Sequence, residues 1–542
     1  MLKNKFVFLV LGSLLLTGCD FFKIGPKGTD NEVQKSINGK FYGGLVYNED
    51  YTGYEFSVSE NEIKKPTSGI VDIDIYGLND FHGAINESDR EAGLIQIGSF
   101  LKNVAKKDNT LVFDQGDTWQ GSFESNDSYG RIIREVYAEA QVSLRTVGNH
   151  DFDWGTEELI EFNSSSYNGA YTPTLAANVC SFTNGKIGKQ ETKIGKEYAT
   201  FVLESGVKVG VVGVIGDEQI SDISSFKVSN VAFSDHVKKV KDISDFLRTQ
   251  KKCDIIVAST HVPTRDSISD GYDAISSVSH KRYVDVVLGG HAHSAYSARQ
   301  NGVVYAQWDA NGETVGGVHL HYDCKQNKLI DEEAKIDTFY KKYLNVYYPI
   351  DQTIKSKVDA YLESLREKGN RVLSTKFSGY FDDSNVGNLM AEAMYNRAKS
   401  AGFNVDFAVT NYARSGFENS TMLYSDAYKC FPFDNEVLIM DVKGPVSCRM
   451  IKLENTYSAE LSPTLSHTQT YRIAVIDYLG LHMGDDRTYD YFPEGKVVDS
   501  LKYDNGSFLS YRDIFAEYLI ANPDKTFNAN DYQETSPHFY FA

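Results

Sequence analysis

Short aliphatic runs that stop abruptly in polar, glycine-bearing turns recur along this chain, and they constrain its fold more than any other feature. Ile70-Val71-Asp72-Ile73-Asp74-Ile75-Tyr76 alternates apolar and polar residues, as a strand with two unlike faces does, and ends in Gly77-Leu78-Asn79-Asp80-Phe81-His82-Gly83. Leu111-Val112-Phe113 runs into Asp114-Gln115-Gly116-Asp117, and Ile255 to Ala258 into Ser259-Thr260-His261. Val284 to Leu288 runs into Gly289-Gly290-His291-Ala292-His293. Between them, Leu94 to Lys106 and His236 to Thr249 carry apolar residues at helical spacing. Strands alternating with helices and ending in such turns predict an α/β fold with its site at strand ends. At roughly 100–200 residues per domain, 542 residues ask for more than one core, and 41% apolar content allows several to be buried.

A charged stretch from Ile350 to Lys368 predicts a connecting helix. Beyond it, Gly387 to Lys399 reads as a helix, and Phe407-Ala408-Val409 and Val437 to Val442 as strands of a second α/β unit. Upstream, Asp20 to about Ser68 is rich in Gly, Asn, Lys, Glu and Ser and reads as a tether, with local strand structure around Phe41 to Val46. Lys3 and Lys5 precede the apolar run Phe6 to Leu16, the layout of a secretory signal. That run is shorter than the about 20 apolar residues a spanning helix needs. It ends in Leu16-Thr17-Gly18-Cys19, which resembles the bacterial lipobox. The resemblance implies cleavage before Cys19, diacylation of its thiol, and a lipid-anchored place in the bacterial cell envelope, facing away from the cytoplasm. The alternative is an ordinary secretory signal with an incidental Cys19. Cys180, Cys253, Cys324, Cys430 and Cys448 show no C-x-x-C spacing, which favours scattered buried thiols over a thiolate zinc site. Cys430 and Cys448 are the pair best placed for a bridge, being close in sequence.

The chain holds 74 Asp and Glu against 55 Lys and Arg, a net charge of −19. A surface meant to wrap DNA or RNA needs the opposite balance, so no nucleic-acid polymer is expected as a partner. Small phosphorylated ligands stay open, because they respond to local charge. The turns present Asp80, His82, Asp117, Asn149, His261, His291 and His293. Carboxylate, amide and imidazole donors without thiolate suit Zn²⁺, Mn²⁺ or similar ions. Two such ions a few ångströms apart need a bridging carboxylate, which an Asp on its own strand end can supply.

Asn79-Asp80-Phe81-His82, Gly116-Asp117, Gly148-Asn149-His150-Asp151, Thr260-His261 and Gly290-His291-Ala292-His293 stand in the order of the calcineurin-like metallophosphoesterases. The longer Val147-Gly148-Asn149-His150-Asp151-Phe152-Asp153 resembles their 5′-nucleotidase branch, the relatives of periplasmic UDP-sugar hydrolase and ecto-5′-nucleotidase. The resemblance runs from about Ile73 to Arg487. After the signal peptide at 1–19 and the tether at 20–68, both read from their residues, it implies a four-layer αββα metallophosphoesterase domain at 69–345. A connector helix at 346–370 and a smaller α/β recognition domain at 371–542 complete the implied layout. By the same resemblance, Asp80, His82 and His293 hold one divalent ion, Asn149, His261 and His291 hold another, and Asp117 bridges them. His150 and Asp153 match the catalytic dyad. The implied reaction is hydrolysis of 5′-nucleotides or related phosphate esters by in-line attack of a metal-bound hydroxide, with His150 donating to the phosphoryl oxygens.

The recognition end departs further from the family pattern. Asn385-Val386-Gly387-Asn388-Leu389 resembles the start of the C-terminal domain, and Phe431-Pro432-Phe433-Asp434-Asn435 its aromatic loop. The resemblance makes Phe433 and Tyr478 the rings that stack on a base, with Asn411, Arg414 and Asp485 as further ligand contacts. Yet Gly379-Tyr380-Phe381-Asp382-Asp383 lacks the usual arginine, Asn411-Tyr412-Ala413-Arg414 is shortened, and Gly484-Asp485 comes one residue late. A loosened substrate preference follows, in which discrimination between a nucleotide and a simple phosphate ester shrinks. Two other readings remain: a UDP-sugar or cyclic-nucleotide phosphodiesterase of the same family, since one metal clamp serves all these esters, and a catalytically idle surface binding protein.

Overall fold

The structure is a computed structural model that describes residues 40–47, 50–163, 172–444, 452–453, 455–459, 461, 464–482, 491–533 and 539–541. The signal segment with Cys19, Cys448 and Asp485 lie outside the described residues.

Two sheets face each other in the first part of the chain. One has the strand order Tyr42–Tyr47, Thr52–Ser57, Tyr198–Val202, Lys208–Ile215, Ile255–His261, Val286–Leu288, Val303–Gln307, Tyr296–Gln300. The other runs Lys328–Leu329, Thr314–Asp323, Ile70–Leu78, Thr110–Asp114, Leu144–Thr146, Thr174–Leu175, with Lys335–Tyr340 paired beside Thr314–Asp323. The middle of each sheet is parallel: Lys208–Ile215 with Ile255–His261 and Val286–Leu288, and Ile70–Leu78 with Thr110–Asp114 and Leu144–Thr146.

Side-chain alternation explains the layers. Ile73, Ile75, Val209, Val211, Ile255 and Val257 point inward and form one buried core between the sheets. Their neighbours Val212, Val214, Ile256 and Ala258 point outward beneath the helix His236–Thr249. Tyr76, Leu78 and Val112 do the same on the other side, beneath the helices Gly93–Ala105 and Arg131–Glu139. Apolar residues on both strand faces thus demand a helix layer on each outer surface, which gives αββα. The helix His236–Thr249 has the limits its spacing predicts, and Gly93–Ala105 lies one residue upstream of the predicted span.

One sequence expectation needs correcting. Residues 42–57 do not hang in a tether: Tyr42–Tyr47 and Thr52–Ser57 form an antiparallel hairpin, and its second strand pairs parallel to Tyr198–Val202. Phe41, Tyr54 and Phe56 are buried in the inter-sheet core with Phe201. Aromatic residues too sparse to form a long run still supply an edge hairpin when a neighbouring strand offers its backbone.

The helix Gln352–Gly369 starts at Asp351, whose carboxylate caps the amides of Thr353 and Ile354 at 3.0 and 3.1 Å. Its Ile354 and Val358 pack into the first part's helix-covered core, and its Leu365 into the core that follows. That second core surrounds a five-stranded sheet ordered Thr456–Tyr457, Phe407–Val409, Thr470–Ile476, Val437–Lys443, Lys496–Ser500, with the helices Asp383–Ser400 and Tyr511–Ala521 packed on it. Cys180, Cys253, Cys324 and Cys430 are buried free thiols, while Cys448, the other member of the pair best placed for a bridge, lies outside the described residues. Among the described residues no helix is long and apolar enough to cross a membrane.

Candidate metal centre

The turns that follow the parallel strands meet at one end of the two sheets. The Asp80 amide donates to the Gly116 carbonyl at 3.0 Å and the His82 amide to the Asp117 carbonyl at 2.9 Å, so the first two turns are zipped together. Gly148 lets the third turn close in: a Cβ there would stand 2.2 Å from Asp117 Oδ1. Asp80, His82, Asp117, His291 and His293 all take positive φ, between 48° and 71°. Non-glycine residues seldom hold that conformation, and where they do the surrounding structure enforces it, often at a functional site.

Two groups of potential ligand atoms, each within 4.8 Å of one another, result: Asp80, His82, Asp117 and His293, and Asp117, His261 and His291. Asp117 belongs to both. Asn149 Oδ1 sits 3.2 Å from His261 Nε2 and 3.1 Å from His291 Nδ1, beside the second group. All seven residues singled out in the turns therefore converge.

The hydrogen bonding fits a cation. His82 Nδ1 lies 3.0 Å from the Gln120 carbonyl and His261 Nδ1 lies 2.7 Å from the Gln115 carbonyl. An N–H at each of these atoms leaves the Nε2 lone pairs facing inward, as in metal-bound histidines. Inside, His82 Nε2 faces His293 Nε2 at 3.0 Å, and His261 Nε2 faces Asp117 Oδ2 at 3.2 Å. Asp117 Oδ2 is buried and accepts no well-formed hydrogen bond. Acceptors turned on one another in a cluster that is buried except at His291 and His293 suit positive charge between them. Burial holds His82 down to about 3 and pushes Asp80 up to about 7. Burial also opposes charge on His261, but the Asp117 carboxylate outweighs it and lifts the imidazole to about 10. A proton there takes the place a divalent ion would fill. By contrast, His236 in the cluster Asp217, Glu218 and His236 has Nδ1 on Asp217 and Nε2 3.6 Å from Asp270, with no lone pair turned to an ion.

Next to this cluster, His150 Nδ1 lies 2.9 Å from Asp153 Oδ2, and the His150 amide donates to Asp117 Oδ1 at 2.8 Å. Burial works against a charged His150, yet Asp153 and Asp117 together raise it to about 9. The ring of Phe433 stacks on His150 with centroids 5.7 Å apart and planes at 21°, and the Arg414 guanidinium lies 4.9 Å from the Phe433 centroid. Tyr478 is half-buried and meets His482 edge-on at 5.5 Å. A Cβ at Gly387 would stand 3.2 Å from the Asn411 carbonyl, so the backbone at Asn411 runs close to the helix Asp383–Ser400.

Other groups at the site escaped the sequence reading. Asn79 Nδ2 donates to Asp80 Oδ2 at 2.7 Å, and Asp222 Oδ2 approaches His291 Nε2 to 3.8 Å. The fully buried Arg145–Asp151 ion pair ties the third turn together, Asp151 Oδ2 also accepting the Gly148 amide at 2.8 Å. Gln120 and Asn126 donate their side-chain amides to the Pro432 carbonyl at 3.2 and 3.0 Å. Asp151 stands within the Gly148-Asn149-His150-Asp151 motif, a signal that could have found it; Asp222 and Asn126 carry no pattern around them.

An αββα scaffold with a shared aspartate among imidazoles defines a metal-dependent phosphoric ester hydrolase. Residues 73–295 match the calcineurin-like phosphoesterase family and residues 367–446 the 5′-nucleotidase C-terminal domain. The chain belongs to the 5′-nucleotidase family of calcineurin-like metallophosphoesterases. Apyrase of Tabanus yao is 24% identical over 419 residues, 69% of this chain and 71% of that protein. Endonuclease YhcR of Bacillus subtilis (strain 168) is 23% identical over 434 residues, 72% of this chain but only 33% of that longer protein. The solved 5′-nucleotidase precursor of Thermus thermophilus shares the fold, with a TM-score of 0.63 and 19% identity over 83% of this chain and 96% of that one.

Proposed function

We propose that this protein is an extracytoplasmic, dinuclear phosphoesterase that hydrolyses 5′-nucleotides or related phosphate esters. The supporting observation is the buried Asp117 carboxylate, shared by two ligand groups and with one oxygen left unsatisfied. Asp80, His82 and His293 would hold one divalent ion, Asn149, His261 and His291 the other, with Asp117 between them. When bound, two such ions lower the pKa of coordinated water and offset charge on the phosphoryl oxygens. The chain's own part is proton placement. Asp153 accepts a hydrogen bond from Nδ1–H of the protonated His150, which orients the ring so that the imidazolium's Nε2–H can donate to a phosphoryl oxygen as negative charge gathers there. The raised pKa of His150, about 9, keeps that proton in place at neutral pH. Asn79 and the His291 amide, the latter at 3.0 and 2.9 Å, hold the Asp80 carboxylate in its orientation.

Phosphate release from a panel of esters, with and without a chelator, tests this reading beside Asp117→Ala and His150→Ala. Equal release from all preparations would leave the idle-binding alternative standing. The same panel separates monoesters from UDP-sugars and cyclic nucleotides. The names of the relatives, an apyrase and an endonuclease among them, do not narrow the ester. For the proposed lipid anchor, Cys19→Ala should move the protein from the membrane fraction to the soluble one; no change in partition would refute anchoring through that residue.

A further inference from the structure

The stacking of Phe433 on His150 assigns the ring a task other than holding a base. The loop that carries it is fixed from two sides. Within its own domain, the buried Arg512 donates to the carbonyls of Phe431 and Phe433 at 2.9 and 3.0 Å and pairs with Asp434. From the catalytic domain, Gln120 and Asn126 donate to the intervening Pro432 carbonyl. Gln120 also offers its own carbonyl to His82 Nδ1, so the residue that seats the loop is part of the metal-side framework. Held this way, the Phe433 ring lies nearly parallel to the His150 imidazole, with the Arg414 guanidinium on the same ring. The aromatic face packs on the imidazole and attracts the guanidinium, and the contact covers the imidazole from water.

We propose that Phe433 is a positioning residue for His150: docking of the recognition domain sets the imidazole plane and its dry surroundings, and a nucleotide base gains little from this ring. The inference rests on the reading of His150 as the proton donor. It also accounts for specificity. A ring engaged by His150 and Arg414 cannot serve as a strong base platform without giving up those contacts, so esters with and without a base should be turned over with similar efficiency.

The test compares the wild type with Phe433→Leu, Phe433→Tyr and His150→Ala, each loaded with Mn²⁺, on AMP and on 4-nitrophenyl phosphate, which has no base. Thermal melting checks that each variant is folded. A misplaced imidazole should cost Phe433→Leu about tenfold to a hundredfold in kcat on both substrates, with KM little changed, and Phe433→Tyr should restore turnover. A loss confined to AMP and seen as a higher KM would overturn the proposal and return Phe433 to base stacking. Unchanged turnover by Phe433→Leu on both esters, with His150→Ala impaired, would also overturn it. Unimpaired His150→Ala would instead overturn the proton-donor reading beneath it, so the two failures are told apart.

Discussion

At the metal centre, the candidate ligands come from turns after five parallel strands, held by backbone pairing, buried carboxylates and positive φ angles. Around Phe433, the contacts come from loops: Arg414 from the segment after Phe407–Val409, Phe433 from the segment before Val437–Lys443, and Tyr478 from the short helix Asp477–Gly480. The first region is anchored to two sheets and two cores, so its residues cannot drift without breaking the fold. The second sits on loops at the edge of the second core, tied by a few hydrogen bonds. Chemistry is thus placed on a scaffold that tolerates little change, and recognition on segments that tolerate much.

Removing the scaffold's central charge should have the largest effect. Asp117→Ala, or chelation of the wild type, should cut phosphate release by about 10³-fold or more on every ester, since groups that stabilise transition-state charge contribute on that scale. A residual rate within tenfold of wild type would break the contrast between the halves. His150→Ala should follow, with a loss of about 10²- to 10³-fold in kcat that does not depend on the leaving group. Tyr478→Ala sharpens the other side. If that ring meets a base, it should weaken nucleotide binding by at most about 1–3 kcal/mol, read as KM, and leave an aryl phosphate untouched.

The smallest effect concerns the seam between the halves. Asp477 is buried, accepts from the Tyr478 amide at 2.8 Å and lies 3.5 Å from Ser224 Oγ of the catalytic domain. Burial raises its carboxyl from 3.8 to about 7, against the pull of Lys227. The folded state therefore keeps a proton that the unfolded chain releases above pH 4, and stability should fall between about pH 4 and 7, by at most about 1.4 kcal/mol per pH unit. Asp477→Asn should flatten that slope and raise the melting temperature at pH 8. An unchanged profile would show that Asp477 is ionised in the fold.

The same contrast governs how much can be read from sequence. Asp80, Asp117, His261 and His291 are visible because each closes a β-branched run, and strand ends in a parallel sheet meet in space. The αββα layering is legible only through the family resemblance those motifs carry; in the structure it rests on Val209 to Val214 and Ile255 to Ala258, which are apolar on both faces. Of the hairpin at 42–57, the first strand is legible around Phe41 to Val46, but the second strand and their burial are hidden, since they depend on the backbone edge of Tyr198–Val202, remote in sequence. The approach of Phe433 to His150 is hidden for a like reason: it depends on Gln120, Asn126 and Arg512, polar residues whose partners are carbonyls, and carbonyls leave no mark in a sequence.

That hairpin decides how the molecule can be held. Tyr42–Tyr47 is the outermost strand of the sheet whose inner strands end in His261 and His291. A pull on the chain upstream of residue 40 meets interstrand rungs loaded in shear and passes into the catalytic body. The recognition domain lies beyond the helix Gln352–Gly369, at the far end of the chain from that grip. A molecule held by its leading end is thus held through the same sheet that carries His261.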